Sequence, residues 1–345
     1  MILTNKMYKY LISLALVLGF FQTQAQDPQF SQFYSMPLHL NPGFTGSTPM
    51  HRFNMAYRMQ WPTMPKAFNT MALSYDYNLV GLNSGFGLMF IHDNAGSANL
   101  ESTNISGSYA YKINFGNGWV ATPGLQFGHV VRSLDYGNLL LNDQIGFGNS
   151  GIAPGTVDPQ VLNMDKAGYF DFSTGLLLYN KRSWFGASVY HLNRPNFSLL
   201  EGNEKLPAKY SVHGGLRIPL YNGPMNRAKV SSVAPSFIYK KQGGFQQVDM
   251  GLHFYYEPIM VGAWYRGTIG KEAYNYGKQH TAILLMGLNM PQFEVGYSYD
   301  LALSQVGPAS GGAHEITLTY LFKTKDSNKM KRRDKFIPCP AFLLN

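Results

Sequence analysis

The residues able to carry chemistry are few and scattered. Nine histidines occur: His39, His51, His92, His129, His191, His213, His253, His280 and His314. None forms an HxH or HExxH pair, or a Cys/His spacing of the kind that holds zinc. No GxSxG elbow is present, and no P-loop or GxGxxG follows a strand. Gly146-Phe147-Gly148 and Gly311-Gly312 read as loop punctuation. The single cysteine, Cys339, excludes an intrachain disulfide and a multi-cysteine zinc site. Three acids, Glu294, Asp300 and Glu315, fall on polar faces, as do Arg58 and Arg217. Charges of opposite sign on such faces pair with one another, or they line a pore. No cofactor and no metal are expected, and the chain does not read as an enzyme.

The elements that would position these groups show a period of two. In 52–61, Phe53, Met55, Tyr57, Met59 and Trp61 share one face, opposite Arg52, Asn54, Ala56, Arg58 and Gln60. Ile105, Tyr109, Tyr111 and Ile113 repeat the pattern, as do Val248, Met250, Leu252 and Phe254 opposite Gln247, Asp249 and His253. Likewise Tyr210, Val212, Leu216, Ile218 and Leu220 oppose Lys209, Ser211, His213 and Arg217. Near the C-terminus Phe293, Val295, Tyr297 and Tyr299 precede Ile316, Leu318, Tyr320 and Phe322. The polar face is mild and the apolar face carries aromatics near segment ends. That is the inverse of a soluble sandwich and suits a transmembrane barrel, apolar toward lipid and polar toward its lumen. The predicted fold is all-β: a transmembrane antiparallel up-and-down β-barrel of about 14 strands, with an extended segment before it and a basic tail after it.

Composition agrees. The chain of 345 residues is 45% hydrophobic, 14% aromatic and only 14% charged. One apolar run, Leu11 to Phe21, is too short to span a bilayer. Lys6 and Lys9 precede it and Thr23-Gln24-Ala25 follows, so 1–25 reads as a signal peptide removed on export. Formal charge is +9. Without Lys6 and Lys9 it is +7, and the last 25 residues account for +5 of that, leaving +2 for the rest. The basic excess is a property of the tail, and no nucleic-acid-binding module appears.

The links between predicted strands alternate in length. One side receives 115–118, 180–183, 257–258 and 289–291, with 78–83 and 221–228 of moderate length. The other receives 93–101, 134–167, 194–207, 269–279 and 302–312, with short links at 62–66 and 241–244. Short periplasmic turns and longer outer loops are usual in such barrels. On that reading both termini lie in the periplasm. The division is then 1–25 leader, 26–50 extended segment, 51–322 barrel and 323–345 tail.

The mature opening is Asp27-Pro28-Gln29-Phe30-Ser31-Gln32, then Leu40-Asn41-Pro42-Gly43-Phe44-Thr45-Gly46, then Arg58, Gln60 and Trp61 in the first strand. It resembles the PorP/SprF family of type IX secretion outer-membrane proteins of Bacteroidota, with its DPQFSQ-like start, LNPA-like step and R-x-QW element. Gly43 departs from the usual Ala. The resemblance implies a non-enzymatic role in protein export. The implied partners are a secreted adhesin-type substrate, recognised by its C-terminal secretion domain, and the periplasmic ring lipoprotein and translocon components. Support of gliding motility is implied as well. The competing expectations are a diffusion porin and a barrel hydrolase with a Ser/His/Asp set spread over separate strands.

Pro28, Pro37, Pro42 and Pro49 keep the opening segment from forming a regular helix. Its aromatics need burial. The segment either covers the periplasmic rim, the favoured reading, or enters the lumen as a plug. In the tail, Lys331, Arg332 and Arg333 precede Pro338-Cys339-Pro340. This piece is a candidate docking site for a periplasmic partner, or a solvated terminus.

Overall fold

The computed structural model describes residues 27–322 apart from 65–66, 97–98, 136–143, 145–165, 200–201, 222–230, 271–278, 291 and 304–309. The leader and the tail lie outside the described residues. So do most of 134–167 and the candidate residues Lys331, Arg332, Arg333, Pro338, Cys339 and Pro340.

The strands are β1 His51–Gln60, β2 Phe68–Leu79, β3 Ser84–Ala95, β4 Leu100–Tyr111, β5 Ile113–Asn114 and β6 Val120–Leu134. Then come β7 Ala167–Tyr179, β8 Ser183–Tyr190, β9 Lys209–Leu216, β10 Ile218–Tyr221 and β11 Ser231–Gln242. The last are β12 Phe245–Tyr256, β13 Ile259–Ile269, β14 His280–Asn289, β15 Phe293–Ala302 and β16 Ala313–Phe322. β5 continues β4 past Lys112 and pairs with β6, and β10 continues β9 past Arg217 and pairs with β11. The sixteen segments therefore make a closed antiparallel barrel of 14 strands. Neighbours in sequence pair throughout, and the seam joins β1 to β16, with His51 opposite Phe322 and Gln60 opposite Ala313. Closure leaves no unpaired edge, which lipid would not tolerate. Among the described residues no helix is long and apolar enough to cross a membrane.

The alternation read from sequence decides which face points where. In β16, Glu315, Thr317 and Thr319 are buried in the lumen while Ile316, Leu318 and Tyr320 face out. In β12, His253 is buried and Met250, Leu252 and Phe254 are exposed. Aromatics cluster on the outer surface at one end, where His51 stacks between Tyr77 and Phe322 with ring centroids at 5.4 and 4.9 Å. Toward the other end Tyr265 and Tyr297 hydrogen-bond His280 and His314 at 2.5 and 2.8 Å. Such girdles suit the two membrane interfaces.

The lumen is filled by residues 27–50, not left open. Short 3-10 turns at Phe33–Ser35 and Pro42–Phe44 flank a four-residue helix, Pro37–Leu40. Pro37 and Pro42 open their turns, where a missing N–H costs nothing. Phe33, Tyr34, Leu40 and Phe44 pack in one cluster with wall residues such as Leu177, Trp184, Ile238 and Trp264. Phe30, Met36 and Leu38 pack in a second with Ala56, Ala72, Met89 and Ile91. Each large apolar side chain so buried contributes roughly 1.5–3 kcal/mol. The favoured placement over the rim is therefore corrected. A segment with this many aromatics gains more by sheltering inside the barrel than by capping one edge.

The path of the segment also separates the two ends of the described chain. Asp27 bonds His191 just past β8, Lys209 at the start of β9 and Gln242 at the end of β11, at the barrel end that carries most of the longer loops. Phe322 ends β16 at the opposite, short-turn end, where Met50 leads into β1. The expectation of both termini on one side does not hold for these two positions, because 27–50 threads the whole lumen.

Candidate functional site

Three sets of contacts hold the plug, at three depths. The deepest lies toward the short-turn end. Asn41 caps the following turn, its Oδ1 accepting from Gly43 N at 2.7 Å. Its Nδ2 donates to the carbonyls of Leu176 and Ala187, at 3.1 and 3.2 Å, and lies 3.2 Å from His213 Nε2. Here backbone meets backbone. A Cβ on Gly43 would stand 2.7 Å from Thr122 O and 3.0 Å from Leu177 Cβ. Gly46 has φ +64 and lies against Gly85 and Tyr77 of the wall. Its N–H donates to Asp76 at 2.8 Å, and Asp76 is gripped by Arg52 through contacts of 2.8 and 3.0 Å. Leu40 O accepts from Ser188 at 3.0 Å.

At mid-depth the wall supplies a buried charge cluster. Arg58 Nη2 meets Asp300 at 2.8 Å and its Nη1 meets Glu315 at 3.2 Å. Ser31 bridges them: its N–H donates to Glu315 at 2.7 Å, its hydroxyl donates to Asp300 at 2.7 Å and accepts from Arg58 at 2.8 Å. Gln32 N donates to Glu315 at 2.8 Å, and its Oε1 accepts from Thr317 at 2.8 Å. Arg266 adds weaker contacts to Asp300 and Ser31, both at 3.3 Å. Burying this many charges costs several kcal/mol per ion unless each is paired and hydrogen-bonded. Ser31 and Gln32 supply hydrogen bonds that these acids would otherwise have to take from water.

At the long-loop mouth Asp27 Oδ2 accepts from Lys209 Nζ at 2.6 Å and lies 2.9 Å from His191 Nε2. The other ring nitrogen of His191 faces Asp171 at 2.9 Å. Burial alone would raise the Asp27 carboxyl, but the charges of His191 and Lys209 and their hydrogen bonds hold it well below the usual value. For His191 burial acts downward, and the Asp27 charge with bonds to Asp171 and Asp27 overrides it, lifting the ring to about 9. His39 behaves oppositely: burial, with the Lys209 charge, pushes it down to about 3. Its Nε2–H donates to Pro28 O at 3.2 Å and its ring meets Phe30 edge-on at 5.2 Å.

The opening motif thus comes together with the first strand, by side chains at two depths. Ser31 meets Arg58 and Gln32 shares Glu315 with it, while Asn41, Pro42, Gly43 and Gly46 meet positions of other strands at the far end. Gln29, Gln60 and Trp61 line a cavity of about 310 Å³ at the long-loop mouth and take no part in the Arg58 cluster. Pairing of lumenal Arg58 with Asp300 and Glu315 follows the sequence expectation. Among the described residues no ion pair joins Arg217 or Glu294. The Asp27–His191–Lys209 contact and the role of Arg266 had no local signature, since their partners lie far apart along the chain.

Residues 22–320 match the family described as Type IX secretion system membrane protein PorP/SprF. Curated proteins give no match. Among solved structures, the outer membrane protein Omp33 of Acinetobacter baumannii has a TM-score of 0.42 at 8% identity, covering 81% of this chain and 100% of its own. KdgM porin has 0.36 at 8%, covering 79% and 99%, and CdiB from Acinetobacter baumannii 0.42 at 8%, covering 79% and 60%. The chain belongs to the PorP/SprF family, and is an outer-membrane β-barrel component of type IX secretion.

Proposed function

We propose that this PorP/SprF protein is a non-enzymatic docking component. It binds a secreted adhesin-type substrate through that substrate's C-terminal domain, the periplasmic ring of the machinery, or both, and by loading adhesins supports gliding. The observation that carries the reading is the filled lumen. A segment fixed at three depths, with its aromatics in the barrel core, suits a docking platform better than a diffusion porin. In this reading the short-turn end faces the periplasm. The tail carrying Lys331, Arg332, Arg333, Pro338, Cys339 and Pro340 is the candidate contact for the ring lipoprotein, and its charge supports an acidic partner. The apolar belt meets outer-membrane lipid. Asp27 to Gln32, Leu40 to Gly43, Gly46 and Arg58 serve as plug anchors, and Gln60 and Trp61 face the outer cavity.

The test is gentle detergent purification of the tagged protein from its native outer membrane, with mass spectrometry of what co-purifies. A large secreted protein, or ring and translocon components, is the expected result. Recovery of the barrel alone, under conditions where a known complex survives, together with ion conductance in a planar bilayer, would replace this reading with the porin.

A further inference from the structure

Three cavities meet at the long-loop mouth, of about 310, 70 and 40 Å³. Asp27 and Pro28 line all three. Residues 27–29 are half-buried, whereas 30–50 are buried apart from His39. The first residues of the plug are thus a thin partition between voids.

One carboxylate is their main hold. Asp27 bonds Lys209 at 2.6 Å and His191 at 2.9 Å, with a longer contact to Gln242 at 3.4 Å. His191 has a second acid, Asp171, at 2.9 Å. Lys209 lies over the Tyr190 ring at 4.7 Å and has no other carboxylate within ion-pair distance among the described residues. Lifting Asp27 would strand a largely buried ammonium, and an uncompensated buried charge is costly. Another carboxylate would repair it. Lifting 27–29 would also merge the voids into one trough. Its walls offer the amides of Gln60 and Gln279 and the aromatic faces of Trp61 and Phe245. Side-chain amides pair with either group of a peptide backbone.

We propose that this trough binds an extended acidic peptide of a partner protein, whose carboxylate exchanges with that of Asp27 on Lys209. The trough already holds a peptide of this chemistry, the chain's own Asp27-Pro28-Gln29. That the partner is a secreted chain rests on the export reading above.

Fluorescence anisotropy on the detergent-solubilised full chain tests it, with two labelled probes: the peptide Gln-Asp-Pro-Gln-Phe, and the same peptide with Asn for Asp. Asp27→Asn, which frees the latch, should bind the acidic probe at least about tenfold tighter than wild type does, as expected for a desolvated charge pair. On that variant the neutral probe should bind about tenfold more weakly, and adding Lys209→Gln should erase the difference. Equal binding of the two probes, or no gain in Asp27→Asn, overturns the proposal. Should Asp27→Asn fail to fold, hydrogen exchange on wild type decides. The acidic probe alone should speed exchange at the Asp27 and Gln29 amides, and no change overturns the site. A co-purified secreted partner without peptide exchange would leave the export reading standing and remove this site. Peptide exchange without any co-purified partner would do the reverse.

Discussion

The two ends of the plug are held by different physics. Toward the short-turn end, Asn41 to Gly46 press backbone against backbone, with Phe44 fully buried and stacked on His213 at 5.4 Å. At the long-loop mouth, Asp27 to Gln29 stand between voids and depend on Lys209 and His191. Packing forces are short-ranged and indifferent to salt, whereas charge contacts near solvent answer to both salt and pH. One segment therefore has a permanent end and an adjustable end.

The strongest way to break that contrast is to hollow out the permanent end. Phe44→Ala should cost about 3–5 kcal/mol, the range for removing a buried aromatic ring. Urea unfolding of the refolded barrel at low and high salt would measure it. A loss that salt alters substantially would mean that charge, not packing, holds this end.

A smaller change at the same end sharpens the point. Gly43→Ala introduces a methyl 2.7 Å from Thr122 O. Overpacking of this kind costs about 1–3 kcal/mol. The residue expected from the family resemblance is thus the one this chain's wall excludes. Compensation should come from the wall, and a Leu177→Gly partner change, which removes the Cβ at 3.0 Å, should recover part of the loss. Additive losses in a double-mutant cycle would show that the two positions do not compete for space.

At the adjustable end Lys209→Gln should cost only about 1 kcal/mol, because Asp27 keeps His191 as a partner at 2.9 Å. Its effect should be local. Exchange protection should fall several-fold at the Asp27 and Gln29 amides and stay unchanged at Gly43 and Gly46. Loosening of all four together would mean that the plug moves as one body, and the contrast would fail.

The barrel was legible from sequence because a strict period of two needs no partner information. Met55 and Tyr57 are exposed and Arg58 is inward wherever β1 sits in the sheet. The plug was not legible, because its prolines break every period and its burial depends on a cavity that other residues enclose. Arg58 could be matched with Asp300 and Glu315 since all three fall on polar faces. Ser31 could not be placed with them, because nothing local sets the depth to which 27–50 descends. The same gap hid that Asp27 and Phe322 lie at opposite ends of the barrel. Asp27 reaches the far mouth only because its partners there, Lys209 and His191, lie more than 150 residues along the chain.

The mildest perturbation is pH, and it acts through the number of protons on one ring. His191 faces two carboxylates, Asp27 and Asp171, both at 2.9 Å. Protonated, it donates to both; neutral, it carries one N–H and must leave one acid facing a lone pair. Its pKa is raised to about 9, so its contribution is complete below the ordinary value of 6.5 and is lost as pH rises through about 9. The Asp27 carboxyl is shifted the other way, below its ordinary 3.8, so its contribution is present above 3.8 and is lost as pH falls through its lowered value. The latch should therefore be at full strength below about pH 6.5 and slacken progressively as pH rises to about 9. Exchange protection, corrected for the intrinsic rate at each pH, should fall at Gln29 over that step and remain level at Gly43. A histidine NMR titration should place the His191 midpoint near 9 in wild type, and lower in Asp27→Asn. A midpoint that ignores Asp27 would remove the charge from the adjustable end, and with it the difference between the two.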